Sequence, residues 1–136
     1  MKQAAVILVF DPRGNVLGIR RSATDPWQPL RWNFPGGGVD PGEGVVAAAV
    51  RELREETGLV AHRGELKYLF SYRGHVLVHV FKMTVSDCYI PTFDDGEHDR
   101  YAWRPLTELP RPWASGTRWL IWLYTTRTGG GTVSAF

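Results

Sequence analysis

Residues 37–59 read GGVDPGEGVVAAAVRELREETGL, and this stretch decides how the rest of the chain is placed. The run from 35 to 44 holds five glycines, two prolines and two acids, which reads as a shaped loop. Beyond it, Val46, Ala49, Val50, Leu53 and Thr57 recur at three- and four-residue spacing. That spacing predicts a helix over 45–57 with one apolar stripe, and Gly58 stands where a C-terminal glycine ends it. On this helix Glu55 and Glu56 lie three and four residues after Glu52, so the three carboxylates share one edge. Like charges at that spacing repel, and they sit at the end whose dipole disfavours anions; each effect costs a few tenths to about 1 kcal/mol. A solvated face offset by Arg51 and Arg54 is the plain alternative. A divalent cation removes both objections, and oxygen donors select Mg²⁺, Mn²⁺ or Ca²⁺ over zinc.

Working outward, 136 residues with 43% hydrophobic and 22% charged content suit one globular domain. We expect it over 1–127, with a loose Gly-rich tail at 128–136. The net charge of +2 is too small to imply a nucleic-acid partner, and the basic residues are scattered along the chain. The single cysteine, Cys88, excludes an internal disulfide and fits a reducing, cytoplasmic setting; it reads as a packed thiol. The apolar run at 4–10 lacks a small-residue cleavage site and ends in Asp11-Pro12-Arg13-Gly14, so it reads as a first strand and not a leader. No run is long enough to span a membrane. Strands are expected at 3–10 and 16–21 as a hairpin, then at 31–34, 65–71, 75–85 and 99–104. A second helix over 113–126, apolar on several sides, should be buried or form a dimer contact.

Gly37, Glu43, Arg51-Glu52-Leu53, Glu55-Glu56 and Gly58-Leu59 match the Nudix box, G-x5-E-x7-R-E-U-x-E-E-x-G-U with U apolar, at every specified position. A chance match is on the order of 10⁻⁷ for a chain of this length at average residue usage. The sequence therefore resembles the Nudix hydrolases, with MutT-like size. The resemblance implies an α+β fold, an α/β/α sandwich around a mixed β-sheet. It also implies a hydrolase that cleaves a pyrophosphate bond in a nucleoside diphosphate-X substrate with Mg²⁺ or Mn²⁺.

The same resemblance suggests roles. Glu55, Glu56 and the Gly37 carbonyl would hold metal, and Glu52 would serve as base or ligand. Glu43 and Arg51 would brace the loop against the helix. Gly36 and Gly38 would let backbone approach phosphate. Glu97, in Asp94-Asp95-Gly96-Glu97, would be the loop carboxylate that joins the metal cluster or acts as the alternative base. Arg21 would lie over the phosphates, with a solvated strand end as the alternative. His75 and His79 would line a base pocket or be ordinary surface histidines. The implied partner is a small nucleotide, with no dedicated nucleic-acid binding and no membrane, in a monomer or homodimer.

Family markers past the box are absent or displaced: no proline follows at the ADP-ribose position, and Tyr72 lies slightly early for the dinucleoside polyphosphate mark. The extended motif of coenzyme A enzymes is missing. A (d)NTP or related nucleotide is the expectation that remains. Alternatives are a dinucleoside polyphosphate or nucleotide-sugar pyrophosphatase, an RNA-cap pyrophosphohydrolase, an isopentenyl diphosphate isomerase, or a non-catalytic Nudix ligand-sensing domain.

Overall fold

A computed structural model describes residues 2–94 and 96–128. The backbone runs β1 (Gln3–Phe10), β2 (Val16–Arg21), β3 (Trp32–Asn33), β4 (Gly36–Gly38), α1 (Val45–Thr57), β5 (Lys67–Arg73), β6 (Leu77–Thr84), β7 (His98–Arg104) and α2 (Thr117–Thr128). Short 3₁₀ turns lie at Arg63–Glu65 and Leu106–Glu108. β1 is central. It runs parallel to β6 along its whole length and antiparallel to β4, while β5 pairs antiparallel with β6 and β7 with β2. One parallel pair among antiparallel ones makes the sheet mixed.

Alternation along β1 sets the layers. Ala5, Ile7 and Val9 face α1, where they pack with Ala49, Leu53 and Phe81. Leu8 faces the opposite way, into a core with Phe34, Val80, Leu120, Ile121 and Leu123. One helix thus covers each face, giving the expected α/β/α sandwich.

The first two strands form a hairpin only at its tip. They pair at Phe10 and Val16 and then splay apart. The segment from Trp32 to Gly38 fills the gap, pairing first with β2 and then with β1. The expected loop at 35–44 therefore contains a strand. Ladder bonds drive it, and glycine permits it: a Cβ on Gly36 would meet Ala5 O and lie 2.8 Å from Val6 Cα.

The helix over 45–57 has the expected bounds. Gly58 adopts φ 78° and donates its N–H to Arg54 O, the left-handed cap that glycine adopts without a Cβ penalty. Its inner stripe differs in part: Ala48 and Glu56 are buried beside Ala49, Leu53 and Thr57, while Val46 and Val50 are half-buried. The second helix begins at Thr117 and not near 113. Trp113 bridges to Trp32, with Trp32 N–H bonding Pro112 O and Ala114 N–H bonding Trp32 O. That backbone is committed to the sheet and cannot start a helix. Cys88 is exposed, not packed, and its thiol bonds Asp11 Oδ2 at 3.4 Å. The expected loose tail lies, from residue 129 on, outside the described residues. No helix among those residues is long and apolar enough to cross a membrane.

Candidate active site

The sandwich brings the acidic edge of α1 against the glycine strand. Glu56 sits on the buried side of the helix, and its Oε1 accepts the Gly36 N–H at 2.8 Å. Glu52, one turn earlier, packs on Gly37: a Cβ there would lie 2.5 Å from both Cδ and Oε2 of Glu52. Helix and strand touch at this point because residue 37 has no side chain.

Arg51 organises the surrounding charge. Its Nε and Nη2 donate to Oε2 and Oε1 of Glu43 at 2.8 and 2.9 Å, a two-pronged bond. Nη2 also reaches Gly38 O at 3.0 Å, and Nη1 bonds Glu52 Oε1 and Glu55 Oε1, both at 2.9 Å. The guanidinium is thus bonded to the glycine loop and to three carboxylates. Glu43 responds most: Arg51, with help from the Asp40 N–H, brings its pKa down to about 2. Glu52 moves the other way. Its side chain is 15% exposed; desolvation raises its pKa, Arg51 opposes the rise, and the Glu55 and Glu97 charges add to it.

Glu97 reaches this neighbourhood from the far side of the chain. Ser22 N–H binds Glu97 O at 2.8 Å and Ser22 Oγ binds Gly96 O at 3.1 Å, so the loop is tied to the end of β2. Its earlier part docks on the end of α1 through the Thr92 N–H, which bonds Thr57 O at 2.9 Å. The carboxylate is close enough to disfavour ionisation of Glu52. Of its neighbours, Asp94 is exposed and Asp95 lies outside the described residues.

A cavity of roughly 300 Å³ opens beside Gly36 and Gly37, lined by Arg21, Trp27, Asn33, Phe34, Tyr72 and Val78, with Ser115 to Thr117 at its rim. Arg21 lies in this wall, where its Nη2 bonds Asp25 Oδ2 at 2.6 Å and its Nε bonds Trp27 O at 2.7 Å. Arg20 is held elsewhere by a two-pronged bond to Asp99. Burial pushes Tyr72 up to about 12. Asn33 Oδ1 is buried without a hydrogen-bond partner among the described residues. Gln28, at φ 52°, bends the Trp27 loop so that its Oε1 accepts the Ser115 N–H at 2.7 Å. Trp27 and Asn33 escaped the sequence reading; an amide between Trp32 and Phe34 was the available signal. Neither His75 nor His79 lines this cavity, and both match the plainer reading of exposed or hydrogen-bonded histidines. His75 is an exposed turn residue, and His79 is clamped between Tyr68 Oη and Gln3 Oε1 at 2.7 and 2.6 Å.

No three acidic or imidazole side chains among the described residues converge at ligating distance. Arg51 Nη1 bonds both Glu52 and Glu55, and Gly36 holds Glu56. The donor set nevertheless suits a hard divalent ion: Glu52, Glu55, Glu56 and Glu97 supply only oxygens, and the repulsion that Glu55 and Glu97 exert on Glu52 is what a cation relieves.

Comparisons place these features among known proteins. The family model described as NUDIX domain matches residues 1–123. A CTP pyrophosphohydrolase of Escherichia coli is 36% identical over 107 residues, covering 76% of each chain. An RNA pyrophosphohydrolase of Caulobacter vibrioides is 47% identical over 55 residues, 40% of this chain, and the match spans only 31% of that relative's length. The crystal structure of a MutT NUDIX hydrolase from Burkholderia pseudomallei superposes with a TM-score of 0.71 at 23% identity, over 88% of this chain and 95% of that one.

Proposed function

Because this chain belongs to the Nudix family, we propose that it hydrolyses a pyrophosphate bond in a nucleoside 5′-triphosphate or closely related nucleotide. One observation carries the reading: a desolvated carboxylate, Glu52, is packed against Gly37, and Gly37 also lines a cavity of roughly 300 Å³. The similarity to a CTP pyrophosphohydrolase along most of both chains favours a mononucleotide.

Glu52, Glu55, Glu56, Glu97 and the Gly37 carbonyl are the groups that would hold Mg²⁺ or Mn²⁺. When bound, the ion lowers the pKa of water and offsets charge on the phosphoryl oxygens. The remaining work belongs to the chain. Arg51 occupies Oε1 of Glu52 and leaves Oε2 toward Gly37. That oxygen takes the proton as water oxygen bonds to phosphorus and the anhydride P–O bond breaks, with the departing oxygen keeping the electron pair. Desolvation raises the basicity of Glu52, which suits a general base, and Arg51 limits that rise. Glu97 is the competing base. Backbone without side chains at 36–38 lets phosphate approach. Trp27, Phe34 and Val78 give the base an apolar slot, with Asn33 in the same wall.

The test is a panel of nucleotides with Mg²⁺, scored for released phosphate or pyrophosphate. We expect turnover of at least one triphosphate and none in excess EDTA. Undiminished hydrolysis in EDTA refutes the mechanism, and turnover of nucleotide sugars or dinucleoside polyphosphates alone refutes the substrate class.

A further inference from the structure

A chain of side chains fixes Gln3 at the start of β1. Its Oε1 bonds His79 Nε2 at 2.6 Å, and His79 Nδ1 bonds Tyr68 Oη at 2.7 Å. Tyr68 is braced edge-on against the Phe81 ring at 5.3 Å. With the amide oxygen held on the imidazole, the amide nitrogen on the same carbon is turned away from it. No acceptor among the described residues takes that N–H. Gln3 and its neighbour Lys2 both line a second cavity, of roughly 720 Å³. Lys2 is exposed and forms no ion pair among the described residues.

This cavity and the one that holds Trp27, Phe34 and Val78 share Ala4, Gly37 and Val76. They therefore adjoin, with Gly37 between them. A nucleotide with its base in the first cavity and its reacting anhydride at Gly37 sends the rest of its phosphates into the second. The acids of the second wall, Asp40 and Glu43, are already matched by Arg51, at 3.5 and 2.8 Å. Arg21, the cation of the first wall, is committed to Asp25 and to Trp27 O. Among the described residues that line either cavity, Lys2 is thus the cation left to meet an anion. Its ammonium carries three donors on a flexible stem. We propose that Lys2, with the Gln3 amide beside it, binds the terminal phosphate of the substrate and so makes the enzyme prefer nucleoside triphosphates to diphosphates. This rests on the reading that the Gly37 edge hydrolyses a nucleotide. The third phosphate lies farthest from the base, so it is the one that reaches beyond Gly37.

The test is calorimetry on the full chain, K2M and Q3L, after thermal melts confirm folding. The ligands, with Mg²⁺, are methylene-bridged tri- and diphosphates of cytidine and guanosine, whose bridges cannot be hydrolysed. The parent should bind the triphosphate analogue of at least one base more tightly than its diphosphate analogue. K2M removes the charge and keeps most of the stem. It should weaken the triphosphate about tenfold and the diphosphate less than about threefold, and the difference should shrink as salt rises. Q3L should narrow the same ratio by about threefold. A merely structural role for either residue weakens both analogues alike. An unchanged ratio in K2M therefore overturns the inference and leaves the nucleotide site standing, and an unchanged ratio in Q3L removes Gln3 from it. Equal binding of tri- and diphosphate by the parent overturns it as well. If the parent binds no analogue of either base, the reading of the Gly37 edge falls and takes the inference with it.

Discussion

Replacing Gly37 by alanine tests the contact on which the site depends. The new methyl would lie 2.5 Å from Glu52 Cδ and Oε2 and 2.7 Å from Oε1. Ordinary carbon contacts begin near 3.5 Å, so about 1 Å must be found. The neighbour is the end of a side chain, but Arg51 holds it by a 2.9 Å bond, and Gly36 next door is fixed to Glu56. Either the Glu52 carboxylate swings off or the strand shifts. Overpacking of this kind costs roughly 1–3 kcal/mol, and a reactive group misplaced by ~1 Å loses about 10²-fold in rate. Gly38 supplies the control: a Cβ there meets nothing within 4 Å. G38A should therefore keep its melting temperature, and any loss on nucleotide should appear in KM. Steady-state hydrolysis and thermal melts of both variants measure this. If G37A retains activity within about threefold of the parent, or if G38A is equally impaired, Glu52 is not positioned by the glycine strand.

Two further outcomes follow from the charges. E52Q should lower kcat by about 10²- to 10⁴-fold at saturating metal. E56Q keeps an amide oxygen for the Gly36 N–H and should instead weaken metal affinity, with partial rescue at high Mg²⁺. A larger metal-independent loss in E97Q would make Glu97 the base. Acid should destabilise the fold through Glu43. Its pKa is about 2 when folded against an ordinary 4.5, so its contribution is complete above about 4.5 and is lost as pH falls toward 2. Melts between pH 6 and 2.5 should fall less steeply for E43Q; parallel curves would remove Glu43 from the acid response.

The helix over 45–57 was legible because its apolar period and closing glycine agree. The carboxylate edge was legible because its charges oppose the helix dipole. The Gly36–Gly38 strand was not, since glycine has no side chain to alternate and is depleted in strands. Burial of Glu56 was also hidden: its partner is a backbone N–H twenty residues away. The start of α2 was misplaced because a bridge to Trp32 outweighs local helix preference at Trp113.

The splay of β1 from β2 has an evolutionary side. The wedge of Trp32–Gly38 that fills it touches the carboxylates through Gly36 and Gly37 and the cavity through Asn33 and Phe34. The groups proposed for bond breaking come mainly from one contiguous run of 23 residues. The walls that would choose a substrate come from the Trp27 loop, β5, β6 and the lead-in to α2. Substitutions in those walls can redirect selectivity while the carboxylate edge stays intact. Duplicated copies of such a gene are therefore free to diverge in what they accept long before they diverge in how they react.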